Sequence, residues 1–205
     1  MKKINLIIYG ATGSIGNSVL SIVRSNKERF NVQGVTCNSN YKKLIKIAKE
    51  FNVKKLGINR QIKNTVKDIN KFSVYEDISS FSEIYDSKTD VIVFAISGLA
   101  GLDLFHKLCK SGKKIGMANK ECIISLGENF SKQVKKSGCV IVPLDSEHNS
   151  IFHLLNNDYG PFNSITITAS GGPFRDLPLK SFNNISIKQA LSHPIWKMGK
   201  KISVD

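Results

Sequence analysis

Asp145 and Glu147 stand two residues apart, just after an apolar run that ends in proline, Val140-Ile141-Val142-Pro143, and the Leu144 that follows it. On an extended chain, positions i and i+2 share one face, so both carboxylates would point the same way. Two such groups repel each other unless a proton, a cation or a substrate lies between them. Oxygen-only ligands suit a hard divalent ion such as magnesium or manganese. The competing reading is a helix start, with Asp145 as its cap and Glu147 in its first turn. His148 and His153 are five apart, which does not match the i, i+4 spacing of a helical zinc pair, and they read as structural.

A second candidate lies near the start of the chain. Gly10, Gly13 and Gly16 follow an apolar run at 4–9 and open a helical pattern at 15–24. Glycines between a strand and a helix allow a tight turn and close backbone approach to a pyrophosphate, which the helix N-terminus then attracts. The next strand, 30–37, ends in Cys37-Asn38-Ser39-Asn40, with Lys42 and Lys43 close behind. An NAD site places Asp or Glu at that position for the ribose 2′-hydroxyl. Here there is no carboxylate to repel a 2′-phosphate, and donors and cations are present, so NADP(H) is favoured over an ordinary polar turn.

Three weaker candidates follow. Ala118-Asn119-Lys120-Glu121 falls just past a strand, where ligands bind in open sheets, but its composition is also that of a solvated turn. Ser170-Gly171-Gly172 offers a hydroxyl and backbone amides to a phosphate, or is a plain turn. His193, Trp196 and Gly199 lie in a stretch that reads as a loop, either a lid or a packing anchor.

These groups need a scaffold, and the pattern supplies one. Apolar runs at 4–9, 30–37, 55–58, 91–96, 115–117 and 140–142 read as strands. Helical spacing appears at 15–24, 44–51, 61–70, 78–85, 102–111 and 130–137, with Gly112 as a closing glycine. The alternation predicts an open, doubly wound parallel sheet, α/β in class. Beyond Ser150 the texture changes: 151–155 and 185–191 read as helical, 165–168 as a β-branched strand, and 201–204 as the start of another element.

Composition sets outer bounds. The 205 residues carry a net charge of +14, from 26 Lys and 4 Arg against 16 acidic residues. Lysine is scattered without an arginine-rich stripe, so the charge reads as compositional drift that favours anionic ligands. The four cysteines form no CxxC pair and read as free thiols of a reducing compartment. No apolar run approaches the roughly eighteen residues of a membrane span, and Met1 leads within three residues into the first strand. The expected location is cytoplasmic.

Several motifs now stand in one order: Gly-Ala-Thr-Gly-Ser-Ile-Gly at 10–16, Ala-Asn-Lys-Glu at 118–121, Pro-Leu-Asp-Ser-Glu-His-Asn at 143–149, Ser-Gly-Gly-Pro-Phe-Arg at 170–175 and His-Pro-Ile-Trp-Lys-Met-Gly-Lys-Lys-Ile at 193–202. Together they resemble the 1-deoxy-D-xylulose 5-phosphate reductoisomerase family over the whole chain. The resemblance implies a Rossmann-like NADPH domain over 1–144, then the first part of an α+β catalytic, metal-binding domain over 145–205. It implies NADPH- and metal-dependent isomerisation and reduction of 1-deoxy-D-xylulose 5-phosphate to 2-C-methyl-D-erythritol 4-phosphate, a step of isoprenoid biosynthesis.

Carried over by motif, Thr12, Gly13, Ser14 and Ile15 would cradle the pyrophosphate, and Asn38, Ser39 and Asn40 would hold the 2′-phosphate end. The family commonly has glycine where Asn38 stands. Asn119, Glu121 and Gly199 match cofactor contacts; Lys120, Ser146, Glu147, Ser170 and His193 match substrate contacts. Asp145 and Glu147 match ligands of magnesium or manganese, with cobalt a further candidate, and with Lys120 they form the expected catalytic set. Family members are about twice as long and homodimeric, and place the remaining phosphate and metal ligands beyond the position of Asp205. The chain by itself is therefore expected to be inactive. Two other readings compete. A semialdehyde dehydrogenase shares the glycine opening but needs a reactive cysteine, for which Cys122 or Cys139 would have to serve; a lysine-rich nucleic-acid binder would show salt-dependent affinity.

Overall fold

The computed structural model describes residues 2–60, 69–157, 160–168, 171–192 and 194. Contact density divides the chain into two compact units, Met1–Asn157 and Asp158–Asp205.

In the first unit the chain runs β1 (Ile4–Tyr9), α1 (Ser14–Ser25), β2 (Phe30–Cys37), α2 (Tyr41–Glu50), β3 (Lys55–Ile58), β4 (Ser73–Glu76), β5 (Val91–Phe94), α3 (Leu102–Cys109), β6 (Lys114–Met117), α4 (Lys120–Leu126), α5 (Glu128–Ser137), β7 (Val140–Pro143) and α6 (Ser146–Asn156). The seven strands form one sheet in the order β4-β3-β2-β1-β5-β6-β7, and every neighbouring pair is parallel. The chain winds outward from β1 to β4, then crosses to β5 and winds the other way. The ends of β1 and β5 therefore flank the topological switch point, where open α/β sheets bind their ligands.

Burial explains why β1 reads as an unbroken apolar run. Leu6 and Ile8 pack into the core on one face, Ile7 and Tyr9 into the core on the other. Each side chain so buried contributes about 2 kcal/mol of transfer free energy. On the first face α1 supplies Leu20 and Val23, and α2 supplies Leu44, Ile47 and Ala48, the i, i+3, i+4 spacing of helices that bury one stripe. The second face is built on Phe94, Phe105 and Phe81, with the rings of Phe94 and Phe105 5.2 Å apart.

The expected elements are present with identifiable differences. Of the helix expected at 61–70, residues 61–68 lie outside the described residues, and Ile69–Lys71 is a single 3-10 turn. The helix expected at 78–85 is a 3-10 helix, Ile78–Glu83. α3 stops at Cys109, two residues short of the expected end, with Lys110 as its cap; Gly112 follows in the left-handed region at φ +65°. Strand β4 and helix α4 have no counterpart in the periodicity reading. β4 is an edge strand of one exposed and three half-exposed residues, Ser-Val-Tyr-Glu, and α4 buries only Cys122; neither has enough apolar pattern to register.

In the second unit the expected strand at 165–168 is not formed. These residues carry no strand hydrogen bonding, and Ile165 and Ile167 are more than half exposed. β-branched residues favour a strand only where a neighbour completes the ladder, and none of the described residues does so. The 3-10 helix Leu179–Asn184 and α7 (Ile187–Ala190) complete this unit. α7 starts on a capping box in which Ser186 and Gln189 satisfy each other's backbone amides. The element expected at 201–204 lies outside the described residues.

Candidate functional site

The turn from β1 to α1 sits at the switch point, and two of its three glycines are there for steric reasons internal to the fold. Gly10 has φ +86°, and a Cβ on it would lie 2.5 Å from the Ala95 carbonyl oxygen just past β5. A Cβ on Gly16 would lie 2.4 Å from the Gly10 oxygen and 2.6 Å from the Ala11 Cα. Gly13 is different. Its φ of −80° suits any residue, and its Cβ would approach nothing closer than 3.4 Å. Gly13, Ser14 and Ile15 are exposed, and no side chain caps the N-terminus of α1. A bare backbone at a helix start, with its glycine unexplained by internal packing, fits the close approach of a phosphate.

The turn is tied to the end of β2. Buried Thr36 accepts the Gly10 N–H at its hydroxyl (3.0 Å), and its carbonyl accepts the Ala11 N–H (2.8 Å). Asn38, Ser39 and Asn40 are exposed beyond β2. Asn59 donates its side-chain amide to Asn38 Oδ1 (3.1 Å), while Asn40 caps α2 by accepting the Lys43 N–H (3.2 Å). A cofactor contact by Asn40 would therefore use its amide nitrogen. No Asp or Glu lies among 37–43, so nothing there would repel a 2′-phosphate.

Residues 118–121 are not a surface turn. Asn119 is 2% exposed and caps α4, accepting the Cys122 N–H at 2.9 Å. Its amide donates to the Ile96 and Gly98 carbonyls at 2.6 and 2.7 Å. Both donors of that side chain are thus consumed in fastening the segment after β5 to α4, leaving its backbone as the part able to reach a cofactor. Lys120 and Glu121 open the helix at the carboxyl edge of β6, both half-buried.

The carboxylate pair does not follow the expected alternation on an extended strand. Asp145 is the N-cap of α6, with extended φ and ψ of −75° and 154°, whereas Glu147 is already helical. Asp145 Oδ1 accepts the His148 N–H (3.1 Å), and the His148 Nδ1 lies 2.7 Å from both Asp145 oxygens. His148, which spacing alone set aside, is thus the nearest partner of the first carboxylate. Asn149 donates to the Pro143 carbonyl (2.8 Å) and fixes the end of β7 against α6. The cap reading and the metal reading coexist: a capping carboxylate retains lone pairs, and an oxygen-only donor pair suits a hard cation. Among the described residues no group of three His, Cys, Asp or Glu is placed to hold a metal, so Asp145 and Glu147 would make up only part of a ligand set. Ser146 is exposed on the first turn of α6. Ser170, His193 and Gly199 lie outside the described residues, as does Trp196.

No cysteine has the setting of a nucleophile. Cys122 is fully buried, and burial, then the Glu121 carboxylate, pushes its thiol up to about 11. Cys139 is buried with its thiol against the Lys113 carbonyl at 3.0 Å. Activated thiols are partly exposed and electropositive in surroundings, so the semialdehyde dehydrogenase reading loses its chemical basis.

A glycine turn with no side-chain cap, at the switch point of a doubly wound parallel sheet, defines a Rossmann-like α/β protein. Comparison with known proteins narrows the class. Residues 6–127 match the family model described as 1-deoxy-D-xylulose 5-phosphate reductoisomerase, and 141–205 match the model of that enzyme's C-terminal domain. The chain belongs to the 1-deoxy-D-xylulose 5-phosphate reductoisomerase family. The reductoisomerase of Pelagibacter ubique is 45% identical over 100% of this chain and 54% of its own length; that of Clostridium acetobutylicum is 40% identical over 98% and 54%. A crystal structure of DOX-P reductoisomerase with NADPH, fosmidomycin and magnesium superposes with TM-score 0.87 at 36% identity, covering 96% of this chain and 52% of that one. The Zymomonas mobilis enzyme in complex with NADPH superposes with TM-score 0.82 at 33% identity, over 94% and 52%. The chain spans about half the length of the curated relatives it matches.

Proposed function

We propose that this chain is the cofactor-binding part of an enzyme that rearranges 1-deoxy-D-xylulose 5-phosphate and reduces it to 2-C-methyl-D-erythritol 4-phosphate. The observation that carries the reading is the exposed backbone arc Gly13–Ile15, whose glycine no internal contact requires. In this reading Thr12, Gly13, Ser14 and Ile15 receive the pyrophosphate of NADPH, and Asn38, Ser39 and the Asn40 amide receive its 2′-phosphate. Glu121 and the Asn119 backbone border the nicotinamide end, and Gly199 adds a further cofactor contact. Asp145 and Glu147 would hold a divalent cation, magnesium, manganese or cobalt. Bound there, NADPH supplies hydride and the cation Lewis acidity toward the substrate oxygens.

The chain's own groups do the remaining work. Lys120 brings positive charge to the oxygens that gain negative charge as the carbon skeleton shifts. Ser146, Glu147, Ser170 and His193 orient the phosphosugar. The functional division falls at 144/145, inside the first compact unit, because the last strand of the cofactor sheet ends where the carboxylate cap begins. Four buried thiols with no disulfide support a reducing, cytoplasmic setting, and among the described residues no helix is long and apolar enough to cross a membrane. The full-length protein is read as a homodimer without nucleic-acid or membrane partners.

Titration of NADPH and NADH into the chain, followed by nicotinamide fluorescence, tests the cofactor assignment. NADPH is expected to bind the more tightly; equal or tighter binding of NADH overturns it. With substrate and manganese, the chain alone is expected to oxidise no NADPH, because two carboxylates leave the cation under-coordinated. Turnover comparable with that of a full-length family member overturns this second part.

A further inference from the structure

We propose that Lys43 is a positioning residue for the pyrophosphate, acting as a lock on the Thr12–Gly13 peptide; this rests on the dinucleotide reading of the glycine turn. Lys43 lies in the first turn of α2 and is half-buried. Its Nζ crosses to the β1–α1 turn and donates to the Thr12 carbonyl at 3.0 Å. The other end of the same peptide is also held, since the Gly13 N–H donates to the Gly10 carbonyl at 3.0 Å. One peptide plane is therefore fixed at both its oxygen and its nitrogen.

The lock matters because of what the alternative orientation would present. A peptide beside glycine rotates readily, by opposed changes in the torsions on either side. Rotated, it would bring the Thr12 oxygen to face the Gly10 oxygen that the Gly13 N–H now contacts, where like partial charges repel, and would displace the exposed arc Gly13–Ile15 that the phosphate is expected to meet. With Thr12 O drawn into the protein, the open side of the turn is left to the amides of α1's first residues. Asn17 also donates to Thr12 O, at 3.3 Å. The ammonium dominates: a charged donor makes the stronger hydrogen bond, and its distance is the shorter. The same lysine's N–H is held by Asn40 (3.2 Å), so the loop expected to take the 2′-phosphate and the turn expected to take the pyrophosphate are joined through one residue.

Binding by the 205-residue chain separates this role from that of a simple cation. NADPH is titrated by fluorescence and displaced by ADP-ribose, which has the pyrophosphate but no 2′-phosphate, or by adenosine 2′-monophosphate, which has the reverse. Lys43→Met is expected to weaken NADPH and ADP-ribose alike by about tenfold, the scale of one charge-assisted hydrogen bond, leaving adenosine 2′-monophosphate within about twofold. Lys43→Arg, which keeps a charged donor, is expected to recover most of the loss, and Lys46→Met, at an exposed position of the same helix, to change neither probe. If Lys43→Met weakens adenosine 2′-monophosphate and spares ADP-ribose, Lys43 is a 2′-phosphate cation and the lock is overturned. Unchanged binding, or an arginine variant no better than methionine, overturns it too. A wild-type chain that binds ADP-ribose but not NADPH refutes the NADPH reading alone; one that binds neither refutes both.

Discussion

The glycine turn and the carboxylate pair stand at the same edge of one sheet, yet they are built by opposite means. The turn follows β1, a central strand buried on both faces from Leu6 onward, with β2 and β5 paired to it. The carboxylates follow β7, an edge strand paired only to β6, with no fully buried residue. At the turn the chemistry is carried by backbone, and steric contacts inside the unit dictate its shape. At the carboxylates the proposed chemistry would be carried by side chains, of which Asp145 is still a quarter exposed, and the two would supply only part of a ligand set. A phosphate site can thus be completed within one βαβ unit, whereas a cation site gathers ligands from distant parts of a chain.

The sharpest way to break the comparison is to add one methyl group at each glycine. Gly10→Ala forces a left-handed φ on alanine and drives its Cβ into the Ala95 carbonyl, so a loss of roughly 3 kcal/mol in urea-denaturation stability is expected. Gly13→Ala meets no such obstacle. Its stability should stay within about 0.5 kcal/mol of the wild type, while NADPH affinity falls. A variant at 13 that unfolds as readily as one at 10 would show that the turn is wholly structural.

Next in size is the staple behind α4. Asn119→Ala leaves the Ile96 and Gly98 carbonyls and the Cys122 N–H without their partner, at a cost of about 2–3 kcal/mol by the same measurement. A loss below half that would mean the segment after β5 is held by other contacts.

At the edge site, cap and ligand are separable. Asp145→Ala should destabilise by about 1 kcal/mol through the lost cap, whereas Asp145→Asn, which still caps, should cost a few tenths. Both should weaken manganese binding in the full-length protein, read by the paramagnetic signal of the free ion. Retained affinity in the asparagine variant would remove Asp145 from the ligand set.

The smallest effect lies away from both sites. Lys55 donates to Asp86 (2.8 Å), and that bond holds the Asp86 carboxyl below the usual range. A lowered folded-state pKa contributes stability above the unfolded value of about 3.9, lost as pH falls through the folded one. Because Asp86 is 42% exposed, solvent screening keeps the pair below about 1 kcal/mol. Asp86→Asn should lower stability at neutral pH by less than about 1 kcal/mol and leave it nearly unchanged below the folded-state pKa, so the acid limb of the urea-denaturation stability curve flattens slightly.

How legible these features are in the sequence follows the same contrast. The strand–turn–helix around 10–16 is written in continuous apolar burial and glycine spacing, both local signals. β4 and α4 escape because edge elements bury too little to impose a period. The strand expected at 165–168 shows the converse failure, in which β-branched composition states a preference that only a pairing partner can realise. At the sites, Asp145 and Glu147 are visible as a pair, but the contact with His148 depends on helix geometry starting at Ser146, which i, i+2 alternation does not foresee. Lys43 is visible only as charge, since its bond to Thr12 spans two loops.

The close approach of Gly10 to Ala95 joins residues 85 positions apart. The first βαβ unit, local in sequence, can assemble early, but its turn takes final shape only when β5 inserts beside β1. Non-local pairings of that kind bear the larger loop-closure entropy and form late. Nucleotide competence should therefore emerge after the helices do. In a stopped-flow refolding experiment, NADPH fluorescence would lag behind helical circular dichroism, turning the cofactor into a clock for the closure of the sheet's two halves.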